Sequence, residues 1–397
     1  RERLGNTAVG VVPNTTVRQG TVAATVRPYL NIYPVPNLRE LGGGVAQYGW
    51  AGSTNTNQDD FLVRLDHQLT NNDSLSGRVY FDDGSRTNPT SLGLMDALQD
   101  SRIQSYLANY KRIFGASLVN DFRMAYTRTR LTTDDVIPDS LNALEYIKGR
   151  GFGILNAGSG ITGIASGSTN PAYWTQNIFE YIDDAALTHG ANTIKMGGLA
   201  KRIRFNGFSA ARFRGQYDFR TLQEFLAGDP NQYEAANVFA GPRGLRQWMV
   251  GMYVTDEWRV NPRLTLNIGL RYEFVNSPTE VAGRIANLRN QLDKDVIVGN
   301  PYFLNPSLKN FAPRFGFVMD PIGDGKTSVR GGFGIYHDQL TQLNYRVGAF
   351  RVLPFQQRFL VIRPAGAATS GIAFPNAGDN LLSQPAALHD SNVQIDI

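Results

Sequence analysis

The chain has 397 residues, no cysteine, and a net charge of +5 that comes from 39 Lys and Arg against 34 Asp and Glu. The lack of cysteine excludes disulfides, thiolate metal sites and cysteine nucleophiles, and the scattered basic residues argue against nucleic acid as a partner. No apolar run approaches the roughly 18 residues that a membrane helix needs, whereas a β-barrel remains open because only every second residue of its strands faces lipid.

The first predicted element is a hairpin in the stretch FLVRLDHQLTNNDSLSGRVYFDD, residues 61–83. Apolar and polar residues alternate with a period of two, pause at a short polar turn at residues 71–73, and then alternate again. Arg64, Asp66 and Arg78 fall on the polar face, and His67 is the one misfit on the apolar face. The residues predicted to face lipid are Phe61, Val63, Leu65, Val79 and Phe81.

Four further hairpins follow the same pattern, so the sequence predicts five hairpins and ten strands within residues 59–339. The cleanest is WMVGMYVTDEWRVNPRLTLNIGLRYEF, whose turn is the Asn-Pro-Arg segment at 261–263. The four hairpins cover residues 103–130, 176–205, 248–274 and 311–336, with turns near 115–117, 189–192, 261–263 and 322–325.

Long linkers rich in Gly, Pro, Asn and Ser are predicted between the hairpins, at 84–100, 131–172, 208–244 and 277–310. One linker contains RTLQEFLAGDP, residues 220–230, where a Thr N-cap and helical apolar spacing predict a short helix. Residues 1–58 are expected to form a loop-rich segment, and residues 340–397 an extracellular loop or a partial strand region, because both show weak periodicity.

Two all-β architectures fit this alternation: a transmembrane antiparallel β-barrel, and a soluble binding or adhesion module such as a sandwich or a propeller. The clearest strands run for about 10 to 13 residues, which matches the roughly 9 to 11 tilted residues that cross a bilayer. Charges occupy one face, aromatic residues collect near strand ends, and short turns alternate with long loops, as in outer-membrane barrels. The barrel is therefore favoured.

The motifs FLVRLDHQLTNNDSLSGRVYF, DEWRVNPRLTLNIGLRYEF, FAPRFGFVMDPIGDGKTSVRGGFGIYHD and FLAGDP resemble the barrel region of TonB-dependent outer-membrane transporters. The resemblance spans residues 60–338 and is to the Oar-like group, which carries a carboxypeptidase-regulatory-like domain. It implies a 22-stranded barrel in the cell outer membrane, a plug domain, and uptake of a scarce ligand with energy from the TonB system. No plug or TonB box is visible, and residues 391–397 lack a closing strand with a terminal aromatic. An internal barrel fragment is therefore expected, and no family residue is carried over.

The candidate site residues are arginines on the predicted polar face, which would line a wet lumen. Two roles are open to them: they attract anionic solutes, or they pair with lumen carboxylates or with the plug, and pairing is preferred. The six candidates are Arg64, Arg78, Arg123, Arg259, Arg271 and Arg330.

No catalytic, metal or cofactor site is predicted, and no enzyme activity is expected. Adjacent acidic pairs occur at 59–60, 82–83, 134–135 and 183–184, but neighbours on a strand point to opposite faces and cannot act as one dyad. The histidines at 67, 189, 337 and 389 are isolated, without metal-ligand spacing. The Gly- and Ser-rich stretch 153–170 is read either as a loop that touches ligand or as a plain linker.

Overall fold

Eleven long antiparallel strands follow one another through a single sheet, each hydrogen-bonded to the next along the chain. The structure, a computed structural model, describes residues 2–158, 160–209, 211–238, 241–304, 307–382 and 393–395. The eleven strands are β1 (Glu2–Pro13), β2 (Val45–Gln68), β3 (Asp73–Thr90), β4 (Met95–Phe114), β5 (Leu118–Val136), β6 (Ala172–His189), β7 (Asn192–Ser209), β8 (Arg243–Asn261), β9 (Leu264–Val275), β10 (Phe311–Met319) and β11 (Val329–Gly334).

All five predicted hairpins are confirmed, as β2–β3, β4–β5, β6–β7, β8–β9 and β10–β11. In the first hairpin Phe61 pairs directly with Phe81, and their rings stack with centroids 5.5 Å apart. Two short strands, Glu40–Gly42 and Thr279–Glu280, pair at the sides of this sheet. Within the described residues, β1 and β11 form the two ends of the strand order, so the sheet is not closed into a ring.

The prediction that residues 1–58 form a loop-rich segment is wrong for much of that range. β1 starts at Glu2 and pairs along its whole length with β2, which itself starts at Val45. The segment GNTAVGVV consists of small side chains, half of which are exposed, so it has no strong alternation to reveal the strand.

The predicted long linker at 84–100 is also wrong, because β3 continues to Thr90 and β4 begins at Met95. The strands are longer than a bilayer crossing would require: β2 has 24 residues, against the roughly 9 to 11 that cross a membrane. Beyond the apolar band both faces of a strand are polar, so the period of two disappears from the sequence while the pairing continues.

One face of the sheet exposes large apolar side chains over most of its width. Leu65 is 74% exposed and Phe333 is 70% exposed, at opposite sides of the sheet. No helix among the described residues is both long and apolar enough to cross a membrane. The exposed apolar residues on this face include Phe61, Val63, Leu65, Tyr106, Met124, Tyr181, Met196, Met252, Val254, Ile268, Leu270, Phe315 and Phe333.

The remaining connections fold together at one end of the sheet into a compact unit, which we call the cap. Its main sheet consists of six short strands: Ile154–Asn156, Ile164–Ala165, Gln216–Asp218, Gln232–Val238, Gln356–Ile362 and Val393–Ile395. A separate pair joins Ala286–Asn287 to Ile297–Val298. Its helices are α1 (Thr15–Gln19), α2 (Arg27–Asn31), α3 (Asp139–Asn142), α4 (Leu222–Ala227), α5 (Gln342–Phe350) and α6 (Ala377–Leu382), and a 3-10 turn spans Ser91–Gly93.

The helix predicted within residues 220–230 is confirmed as α4. The Thr221 side chain accepts a hydrogen bond from the Glu224 amide at 3.2 Å, and Gly228 ends the helix with a φ of 71°. The cap has its own aromatic core, in which Tyr217, Phe225 and Tyr233 are fully buried. The long connections are therefore packed structure, and residues 340–397 contribute α5, two strands and α6 to it.

Candidate functional site: the polar face of the sheet

The face opposite the apolar band carries all six arginines predicted from the sequence. Arg64 on β2 lies directly opposite Arg78 on β3 in the strand register. The same row of residues continues over β4 and β5 to Glu180 on β6. Residues directly opposite one another on neighbouring strands share a face, so the register places these side chains together. Arg123, Arg259, Arg271 and Arg330 occupy the same face further along the sheet.

Three of the six arginines are held by carboxylates. Arg64 pairs with Asp66 at 2.8 Å, Arg271 pairs with Glu273 at 2.5 Å, and Arg123 contacts Asp121 at 3.2 Å and also Asp184. A further pair on this face joins Lys201 to Glu180 at 2.5 Å.

The other three arginines behave differently. Arg330 donates to the Ser328 hydroxyl at 3.0 Å. Within the part of the chain that the structure describes, no carboxylate lies within ion-pair distance of Arg78, Arg259 or Arg330. The polar face therefore combines neutralised pairs with free cations.

Asp184 on β6 is the centre of a network that ties three strands together. It accepts from the Arg123 guanidinium on β5 and from the Tyr253 hydroxyl on β8, the latter at 2.7 Å. Asp121 extends the network to Asn109 on β4, whose amide lies 3.4 Å from it. Sequence reasoning missed Asp184 and Tyr253, since their contact depends on the register of strands that are far apart in the chain.

Gly197 on β7 makes this contact possible. It lies between Asp184 and Tyr253 in the row of paired residues, so both side chains lean over it. A Cβ at this position would lie 2.3 Å from Asp184 Oδ1 and 2.7 Å from Tyr253 Cε1. A glycine inside a strand marks such a close approach, and this was the one signal in the sequence that pointed to the network.

A pocket of about 380 Å³ lies nearer the cap, between the polar face and helix α5. Lys201 lines its wall, and Arg346 of α5 stacks over the Trp174 ring at 5.0 Å from the centroid. Apart from those two cations, the side chains around it are Gln176, Ile178, Ile203, Met249, Thr341, Gln342 and Leu343. Arg346, the amide and hydroxyl groups, and Lys201, which also pairs with Glu180, lie beside an apolar floor. This lining suits a ligand with both anionic and apolar parts.

Helix α5 is fastened to the polar face by specific contacts. The Gln342 amide donates to Gln176 Oε1 at 2.7 Å, and the Tyr345 hydroxyl donates to Gln247 Oε1 at 3.1 Å. At the end of the helix the buried Arg243 donates to the Ala349 carbonyl at 2.7 Å and stacks on the Phe350 ring. The pocket therefore has a fixed roof.

The acidic pairs bring one correction. Asp134 and Asp135, near the end of β5, both bind Arg214, at 2.9 Å and 3.0 Å, although neighbours on a strand were expected to diverge. The two separate nitrogens of one guanidinium span both carboxylates at the point where the strand enters the cap. At the pair 183–184 the expected divergence holds, because Asp183 accepts from Asn120 on the opposite face.

Metal binding finds no support in the described part of the chain, where no cluster of three or more His, Asp or Glu side chains has the arrangement to hold an ion. His389 and residues 391–392 and 396–397 lie outside the described residues, so the expectation for His389 is left there. Within 391–397, residues Val393–Ile395 form a strand that pairs with Gln356–Ile362 in the cap sheet.

A comparison with known protein families is consistent with a sheet that has one apolar and one polar face. The sequence matches the family model of an outer membrane beta barrel domain over residues 3–395. The chain belongs to the outer membrane β-barrel family. Its location is the cell outer membrane, and its exposed apolar face is the surface that meets lipid. The alternative of a soluble sandwich or propeller is therefore wrong.

Individual relatives of this outer membrane barrel domain are transporters and receptors. It is 28% identical over 145 residues to the TonB-dependent transporter Oar of Myxococcus xanthus, a match covering 36% of this chain and 12% of that protein. Among solved structures, the outer membrane transporter YddB from Escherichia coli aligns with a TM-score of 0.44 and 12% identity, over 72% of this chain and 32% of that one. The alcaligin outer membrane receptor FauA from Bordetella pertussis aligns with a TM-score of 0.39 and 12% identity, over 81% and 39%. The chain thus matches about an eighth of its curated relative and about a third of these two structures.

Proposed function

We propose that this barrel domain forms part of the wall of a TonB-dependent transporter, which takes up a scarce ligand across the outer membrane and has no catalytic role. The observation that carries the proposal is the division of the same strands into an exposed apolar face and a charged, hydrogen-bonded face. A wall between lipid and an aqueous passage needs both. The 28% identical relative is a transporter of this kind, and no alternative function has a comparable feature behind it.

The partners proposed with this function are a plug domain, the TonB system and the lipid bilayer. Arg78, Arg259 and Arg330 are free cations on the polar face, so they are the residues through which a plug or an anionic ligand would be held. The eleven strands would be half of a 22-stranded ring, as the resemblance implies, and the cap would lie on the extracellular side, where long loops occur in such barrels.

The pocket under α5 is the proposed ligand contact of this wall. Lys201 approaches it from the cap half of β7, and Arg346 approaches it from helix α5. A ligand entering from outside the cell would meet this pocket before it met the Asp184 network. We propose no ligand identity beyond an anionic group attached to an apolar body.

The test measures which solutes disappear from the growth medium of cells that produce the full chain. Cells with the intact gene should deplete at least one medium component that cells lacking the gene leave in place, and depletion should stop when the proton-motive force is collapsed. If no component differs, or if depletion continues without the proton-motive force, the transport proposal is wrong.

Site variants sharpen this experiment. Lys201→Gln combined with Arg346→Gln should slow depletion of that solute several-fold, because charge-assisted contacts to an anionic group are lost. Lys195→Gln is the matched control, since Lys195 lies on the same face of β7 but six residues nearer the short turn. Equal slowing in both variants would mean that the pocket does not bind the solute. It would not contradict transport by the barrel.

A further inference from the structure

The lipid-facing side of the sheet carries a row of aromatic rings just below its extracellular part. Tyr106, Tyr126, Phe179 and Trp248 belong to one lateral row across β4, β5, β6 and β8, in which Arg202 fills the β7 position. The Tyr126 and Phe179 ring centroids are 4.9 Å apart. Aromatic rows of this kind lie at the level of the lipid headgroups.

Arginines occupy this aromatic row and the next row towards the cap. Arg128 on β5, Arg204 on β7 and Arg246 on β8 belong to the upper row, where Asn177 on β6 separates the first two. We call Arg128, Arg202, Arg204 and Arg246 the arginine belt. Its members come from three strands, and all of them point to the side that faces lipid.

The belt side chains are held by aromatic rings and by amide oxygens. The guanidinium of Arg204 lies 5.1 Å from the Phe179 ring centroid, and that of Arg202 lies 5.1 Å from the Trp248 ring. Arg246 donates to Asn206 Oδ1 at 2.9 Å, and Arg128 lies 3.4 Å from Asn177 Oδ1. Rings and amides fix the positions of the guanidiniums without neutralising their charge.

No carboxylate forms an ion pair with any belt arginine in the described part of the chain. By contrast Lys201, which lies on the polar face of the strand that carries Arg202 and Arg204, is paired with Glu180 of β6. Arg102, at the side of the belt, is also excluded from it because it pairs with Asp83 at 2.9 Å. The belt therefore concentrates four unneutralised cations at the headgroup level of a membrane protein.

We propose that the arginine belt binds phosphate groups of lipid headgroups in the outer leaflet. Guanidiniums bind phosphate oxygens through two parallel hydrogen bonds, and basic clusters at this depth attract anionic headgroups. The aromatic row beneath would hold the acyl chains of the same lipid, so this site combines a charged end and an apolar end along the outside of the wall. Lipid binding at this site is a property beyond transport, because the partner is the membrane itself.

Lipid retention measured by native mass spectrometry tests the belt. The full chain is purified in detergent micelles containing phosphatidylcholine and phosphatidic acid, and the bound lipids are counted. We expect enrichment of phosphatidic acid on the unmodified protein. Arg204→Gln combined with Arg246→Gln should lower that enrichment by at least about tenfold, since two charged contacts to the headgroup phosphate are lost.

Two further variants make the result specific. Arg204→Lys with Arg246→Lys keeps both charges and should retain most of the enrichment, whereas Arg263→Gln, in the short turn at the opposite end of the sheet, should retain all of it. Strand content measured by circular dichroism should be the same for all four proteins.

Three outcomes would overturn the proposal. The first is the absence of phosphatidic acid enrichment on the unmodified protein, and the second is unchanged enrichment in the double glutamine variant. The third is displacement of the lipid by a modest excess of inorganic phosphate, which would mean that the belt binds free phosphate and not a lipid headgroup.

Discussion

Leu270 and Asn267 lie on opposite faces of β9 and provide a test of which face meets lipid. Leu270 is exposed on the apolar face, between Val254 and Pro313 of the neighbouring strands. Asn267 lies on the polar face across from Glu257. Ile268 would be a weaker probe, because Asp256 lies directly opposite it and would pair with an introduced cation.

We predict that Leu270→Arg lowers the free energy of unfolding by about 2 to 4 kcal/mol, because a cation on the lipid face must leave water. Asn267→Arg should have little effect, since it gains Glu257 as a partner on the wet face. Unfolding in urea, with the protein inserted in lipid vesicles, measures both. Equal destabilisation by the two variants would contradict the assignment of faces.

Gly197 and its neighbour Gly198 form a second matched pair. A Cβ at Gly197 would overlap Asp184 Oδ1, whereas the nearest atom to a Cβ at Gly198 is the Gly251 carbonyl oxygen at 3.9 Å. We therefore expect Gly197→Ala to cost about 1 to 3 kcal/mol through displacement of Asp184 and Tyr253, and Gly198→Ala to be neutral or slightly stabilising. Unfolding in urea measures both variants. An unchanged free energy of unfolding in Gly197→Ala would contradict the proposed close approach.

At the level of single residues, the sequence was informative wherever one strand alone carried the signal. The face of Arg64 or Arg271 follows from alternation along its own strand, so all six arginines could be placed on the polar face. Partners such as Asp184 and Tyr253 could not be found, because these two residues are 69 positions apart in the chain and meet only through the register of β6, β7 and β8.

Among the elements, helix α4 depends on a charged contact with the segment that follows the strand Gln356–Ile362. Asp229, just after α4, accepts from the Ser370 hydroxyl at 2.6 Å, from the Ser370 amide at 2.8 Å and from Arg363 at 2.7 Å. Partial burial alone would raise the pKa of Asp229, but the Ser370 hydrogen bonds and the Arg363 charge outweigh it and hold the pKa below its usual range.

Because the folded protein lowers this pKa, the contact stabilises the cap above the unfolded-state pKa of about 4, and the stabilisation is lost as the pH falls below that value. Hydrogen-exchange protection in residues 364–372 should therefore decrease below about pH 4. Asp229→Asn should reduce protection there by about 1 to 3 kcal/mol at neutral pH and abolish this pH dependence. Asp295→Asn, at an exposed position, is the control, and a matching change in it would contradict the assignment.

The cap as a whole could not be predicted from the sequence, apart from α4. Its strands are 2 to 7 residues long, too short to show a period, and its buried tyrosines are scattered over several linkers. Tyr217 illustrates this: its hydroxyl donates to the Ala373 carbonyl at 2.9 Å, 156 residues away, and burial raises its pKa well above the usual range. Only the assembled fold brings such residues together.

At the scale of the whole molecule, a single sheet separates lipid from an aqueous passage in the proposed transporter wall. The family assignment agrees with this claim, and so do the apolar band on one face and the ion pairs on the other. The division into faces was predictable because it repeats every second residue over ten strands. β1 and the extension of β3 and β4 towards the cap were not, because alternation fades where both faces are polar.

A cysteine scan of β9 tests this claim most directly, and the chain suits it because it contains no native cysteine. Single cysteines are introduced from Thr265 to Tyr272 in the full chain, in sealed lipid vesicles, and labelled with a membrane-impermeant maleimide present on both sides. We predict rapid labelling at 265, 267, 269 and 271, and slow labelling at 266, 268, 270 and 272. Rapid labelling at all eight positions would contradict the account, because both faces of the strand would then lie in water.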